Sequence, residues 1–109
     1  MVAPRAAAEE ALQREIAGAE STLGPAHPEV AKLIVDLANL YQSQARYSEA
    51  EALYNRALAI REQAFGPSNS EVAQTLSQLA LVYRAQGRVR EAEEFSRRAQ
   101  IILDAAQRR

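Results

Sequence analysis

Reactive side chains are few in this sequence and widely separated. His27 is the one histidine, and cysteine is absent. A metal centre would need further ligands of the right type and spacing. Ser and Thr occur, but no Ser/His/Asp arrangement can be read around the single His27. The carboxylates Glu49/Glu51 and Glu91/Glu93/Glu94 stand close together. Paired carboxylates serve as general acid and base when burial shifts one pKa from the other. These lie where the first turn of a surface helix is expected, so they are solvated. Gly24 and Gly66 are isolated, which leaves no phosphate-cradling loop. No catalytic, cofactor-binding or metal-ligating residue is therefore predicted, and the chain is not expected to be an enzyme.

The carboxylate pairs recur because the chain is written twice. Of the 42 positions in residues 23–64, 17 reappear unchanged at residues 65–106. Gly24-Pro25 returns as Gly66-Pro67, Glu29-Val30-Ala31 as Glu71-Val72-Ala73, Leu37-Ala38 as Leu79-Ala80, and Tyr41 as Tyr83. Repeats of roughly 20–50 residues build stacked architectures. The same offset reaches back to residues 5–22, where Ala8-Glu9 matches Ala50-Glu51 and Arg14 matches Arg56. That segment reads as a capping helix, the second half of an earlier repeat. The 109 residues form one domain.

The composition is 48% hydrophobic and 25% charged with only 6% aromatics. Rich in Ala and poor in Gly and Pro, it favours helices and gives no alternating strand pattern. No apolar run approaches the roughly 18–20 residues that span a bilayer, and residues 1–22 lack a compact apolar segment of the signal-peptide kind. A cytoplasmic protein that does not bind membranes is the expectation. A net charge of -1 argues against nucleic acid as a general partner. The basic end (Arg97, Arg98, Arg108, Arg109) reads as a solvated helix terminus favoured by the helix dipole.

Five helices are predicted. The first covers 5–22, with Leu12, Ile16, Ala19 and Leu23 on one stripe. A Leu23-Gly24-Pro25-Ala26-His27-Pro28 break follows, with His27 as the next N-cap and Pro28 at the first helical position. The second helix covers about 28–44 and turns inward Val30, Leu33, Ile34, Leu37, Ala38, Leu40 and Tyr41. The third covers about 47–64, with Ala50, Leu53, Tyr54, Ala57, Leu58 and Ile60 inward. Asn69 caps the fourth, about 70–86, and the fifth covers about 89–106. The small Ala38, Ala50 and Ala57 let neighbouring helices approach closely.

These positions resemble the tetratricopeptide repeat. Its helix-turn-helix pattern is met by Ile34, Leu37-Ala38, Tyr41, Ala45, Ala50, Tyr54 and Ala57. The second copy has Leu76, Leu79-Ala80, Tyr83, Gly87, Ala92, Ser96 and Ala99. The 42-residue period and the Gly-Pro…His-Pro-Glu-Val-Ala linker resemble the kinesin-light-chain type. The resemblance implies an all-α, right-handed helical-hairpin solenoid of about two and a half repeats. It also implies a non-catalytic scaffold that binds a protein or peptide on the concave face of the first helices. By position, that groove comprises Lys32, Val35, Asp36, Asn39, Gln42 and Ser43 from one repeat, and Gln74, Ser77, Gln78, Leu81 and Arg84 from the next. Where that type carries paired Asn, this chain has Val35-Asp36 and Ser77-Gln78.

The last helix ends in an apolar run, Ile101-Ile102-Leu103, where the first copy has Ala59-Ile60-Arg61. Left in water, such side chains forgo roughly 1.5–3 kcal/mol each. Self-association through Ile101, Ile102 and Leu103 into a homo-oligomer is the alternative function. A third reading makes the chain a regulatory fragment of a larger multidomain protein.

Overall fold

The computed structural model describes residues 4–108; residues 1–3 and Arg109, the end of the predicted basic cluster, lie outside the described residues. Five helices follow in order: α1 Pro4–Leu23, α2 Pro28–Ser43, α3 Tyr47–Phe65, α4 Ser70–Ala85 and α5 Val89–Gln107. Each packs on the next in sequence. The result is a helical-hairpin solenoid, a slab of 50 × 34 × 18 Å. The helix limits fall within one residue of those expected because caps and breakers set them. His27 Nδ1 accepts from the Glu29 backbone N–H at 3.0 Å, and Asn69 Oδ1 accepts from Glu71 N–H at 2.8 Å. Each bond satisfies a donor that the first helical turn leaves free. Gly24 and Gly66 take φ of +93° and +86°, which ends α1 and α3.

The turns within each hairpin are matched. Arg46 N–H reaches the Tyr41 carbonyl and Arg88 N–H that of Tyr83, both at 2.9 Å. This six-to-one closure needs a left-handed residue just before the arginine. Gly87 supplies it at φ +79°, and Ala45 supplies it at φ +60°. The arginines then act as staples between repeats. Arg46 lies over the Tyr41 ring at 4.1 Å and pairs with Glu49 and with Glu9 of α1. Arg88 repeats this over Tyr83 at 4.0 Å, with Glu91 and with Glu51 of α3. Thus Glu49, Glu51 and Glu91 are held as ion-pair partners. The arginine beside each of Glu49 and Glu91 lowers its carboxyl pKa, the reverse of what a general acid needs.

The core runs the length of the stack. Val30, Ala31, Ile34 and Ala38 of α2 have no exposure, nor do Val72, Leu76, Leu79 and Val82 of α4. Between them α3 buries Ala50, Tyr54 and Ala57 completely. Ala at these positions lets the helices approach, as the small-residue pattern predicts. Two polar residues absent from the predicted core are also buried: Arg61 on α3 and Thr75 on α4.

Candidate functional site

The helices α2 and α4, each the first of its hairpin, flank the C-terminal half of α3. A pocket of about 480 Å³ opens between them. Six predicted groove residues line it: Lys32, Val35, Asp36 and Asn39 from α2, with Gln74 and Gln78 from α4. They meet because residues three and four apart share a helix face, and α3 holds the two faces at a fixed separation. His27, Pro28 and Phe65 close one end, and Glu29, Glu71 and Arg61 complete the wall.

The other predicted groove residues are not in this pocket. Ser77, Leu81 and Arg84 of α4 are exposed outside it, with Leu81 at 53%. The Ser43 hydroxyl donates to the Leu40 carbonyl at 2.6 Å and so serves its own helix end. Gln42 is committed inward, to the Tyr54 hydroxyl at 2.9 Å. Asn39 also meets that hydroxyl. A phenol has one proton, so Tyr54 donates to only one of these two carbonyl oxygens at a time. Burial pushes the Tyr54 pKa up to about 12, consistent with a neutral phenol sealed in the core. Val35 is only 6% exposed and forms an apolar floor to the pocket. Val35 thus lines the pocket as its floor, whereas Gln42, assigned to the same groove by position, is held against Tyr54 and does not line it.

Arg61 was not anticipated as a site residue. It is 4% exposed, donates through Nη1 to Thr75 Oγ1 at 2.8 Å, and stands 3.5 Å from a Glu71 carboxylate oxygen through Nη2. Its Nε has no partner, and neither does Gln78 Oε1. The Gln78 amide nitrogen donates to Asn39 Oδ1 at 3.2 Å. The signal for Arg61 was present in the sequence. It falls at i+11 from Ala50 on the inward stripe of α3, where its counterpart in the second copy is Leu103.

At the far end of the stack the Ile101-Ile102-Leu103 run is divided. Ile101 is 63% and Leu103 39% exposed, but Ile102 is buried at 8%. Successive helical residues are turned by about 100°, so three in a row cannot share one face. Of the three residues expected to self-associate, only Ile101 and Leu103 therefore offer free surface; Ile102, like its counterpart Ile60, turns inward. Where α3 buries Tyr54 and Leu58, α5 carries the polar Ser96 and Gln100.

A family model of the tetratricopeptide repeat matches residues 5–63 and again residues 33–103. The chain belongs to the tetratricopeptide repeat family. Repeats of this family are in general protein–protein interaction scaffolds. No curated protein matches the chain. Among the described residues of this tetratricopeptide domain, no group of three or more His, Cys, Asp or Glu side chains is placed to hold a metal ion. None of the described helices is long and apolar enough to cross a membrane.

Proposed function

We propose that this domain is a non-catalytic scaffold that captures a protein or peptide along the face of α2 and α4. The observation that carries this reading is the pocket between those helices. It gathers amides, charges of both signs and an apolar floor, the mixture that fixes the orientation of a bound chain. The proposal includes the kinesin-light-chain-like subtype, supported by the 42-residue period. Replacing the exposed Lys32, Asp36 and Gln74 together with Ala is expected to abolish partner capture in an affinity pull-down read by mass spectrometry. Circular dichroism and Tm should stay unchanged, because surface substitutions of this kind move stability by only about 0.5 kcal/mol. Retention of the partner by the triple variant would defeat the reading.

A second reading, self-association through α5, is favoured by the exposure of Ile101 and Leu103. It ranks below the first because Ser96 and Gln100 make the adjoining α5 surface polar. Light scattering over a range of concentrations tests it. The reading expects oligomers that Ile101→Glu with Leu103→Glu dissociates, and a concentration-independent 12.0 kDa monomer would sink it.

A further inference from the structure

Arg61 is the one charged side chain in the described core. At its register the neighbouring copies have Leu103 and Ala19, so the architecture has no need of a cation there. A buried ion pair is often no more stabilising than apolar residues of similar volume. Places where a local rule is broken without structural gain tend to be functional. The break here lies in the wall of the pocket between α2 and α4.

We propose that this pocket takes a basic, extended stretch of a partner protein. A Lys or Arg side chain of that stretch sits among Glu29, Asp36 and Glu71, and a backbone amide beside it is read by Arg61 and Gln78. This rests on the groove reading above and adds the chemistry of the partner. Two independent observations support it. The first is hydrogen-bonding capacity: Arg61 Nε is a buried donor and Gln78 Oε1 a buried acceptor, both unpartnered and both on pocket-lining residues. A peptide group supplies one acceptor and one donor, which matches that pair. The second is charge. The lining residues carry three carboxylates, Glu29, Asp36 and Glu71, against two cations, the exposed Lys32 and the buried Arg61, so the balance is acidic by one charge. That balance repels a carboxylate and attracts a cation. Glu71 is half-exposed and only loosely held at 3.5 Å from Arg61. Its outward swing opens the Arg61 edge to the ligand and leaves the carboxylate facing the incoming cation.

The test is to pan a random dodecapeptide phage library on the full chain and measure the enriched peptides by fluorescence anisotropy. The expected peptides are enriched in Lys or Arg and bind more weakly as salt rises. They lose about tenfold or more in affinity on Arg61→Leu, on Gln78→Met and on Asp36→Lys. Arg61→Leu is expected to hold or raise Tm, since Thr75 Oγ1 keeps its bond to the Glu71 carbonyl at 2.9 Å. Gln78→Met provides the same readout if Arg61→Leu fails to fold. Enriched peptides that are acidic or uncharged overturn the inference, as does a panning that yields no binder. Binding that survives Arg61→Leu and Gln78→Met but is lost in the Lys32/Asp36/Gln74 triple variant overturns the inference alone. Binding that survives all of these variants overturns the groove reading with it.

Discussion

Tyr54→Ala is expected to cost about 3–5 kcal/mol of stability, the range for removing a large buried ring. Tyr54 has no exposure and is the largest of the fully buried side chains. It sits on α3, the helix that packs on both α2 and α4, so the cavity would lie at the centre of the stack. A domain of this size has only about 5–15 kcal/mol in total. Tm should fall by roughly 15–25 °C in a thermal melt. A loss below about 1 kcal/mol would contradict the packing described here.

Tyr54→Phe separates the ring from the hydroxyl. It keeps the packing and deletes the bonds to Asn39 and Gln42, for an expected cost of about 1 kcal/mol. It also alters the alkaline limb of the stability curve. The folded phenol titrates at about 12, against 10.0 when unperturbed. Between those values the folded state keeps a proton that the unfolded state gives up. The Tyr54 contribution is therefore fully present below pH 10 and is lost as pH rises from 10 to 12, by an amount on the order of 2 kcal/mol. Tyr41 and Tyr83 shift in the same direction, first through burial and then through Glu9 and Glu51 respectively. Wild type should thus still lose stability more steeply over pH 10–12 than Tyr54→Phe does. Parallel curves would disprove the burial of this hydroxyl.

Leu79→Ala is the second large effect. Leu79 is fully buried on α4, and its counterpart Leu37 on α2 is 4% exposed. Truncating either is expected to cost about 2–5 kcal/mol. The two should differ in where the damage appears. In a stack each element is held by its neighbours, and α5 packs chiefly on α4. In Leu79→Ala, native-state hydrogen exchange should show α5 losing protection first. In Leu37→Ala the early loss should fall on α1, which rests on α2. Uniform loss along the chain in both variants would mean that the stack unfolds as a single unit.

The architecture was legible because the code for it is local and repeated. Gly24, Pro25, His27 and Asn69 act within a few residues of themselves, so caps and breaks follow from residue type. The inward faces follow from period, and the second copy checks the first. The groove was legible only as a face. Position along α2 and α4 named Lys32, Val35, Asp36, Asn39, Gln74 and Gln78, which line the pocket, but the same rule also included Gln42, which α3 takes for Tyr54.

By itself the sequence determined five helices, their limits, their order and the family they build, since those depend on capping, periodicity and small residues at i, i+3 and i+4. Tertiary structure alone decided which polar groups are free. A period shows which side of a helix a residue occupies, but not what stands opposite it 15 or 40 residues away. The inward stripe of α3 places Arg61 inside, but its bond to Thr75 and its unsatisfied Nε in the pocket wall follow only from how α3 stands against α4.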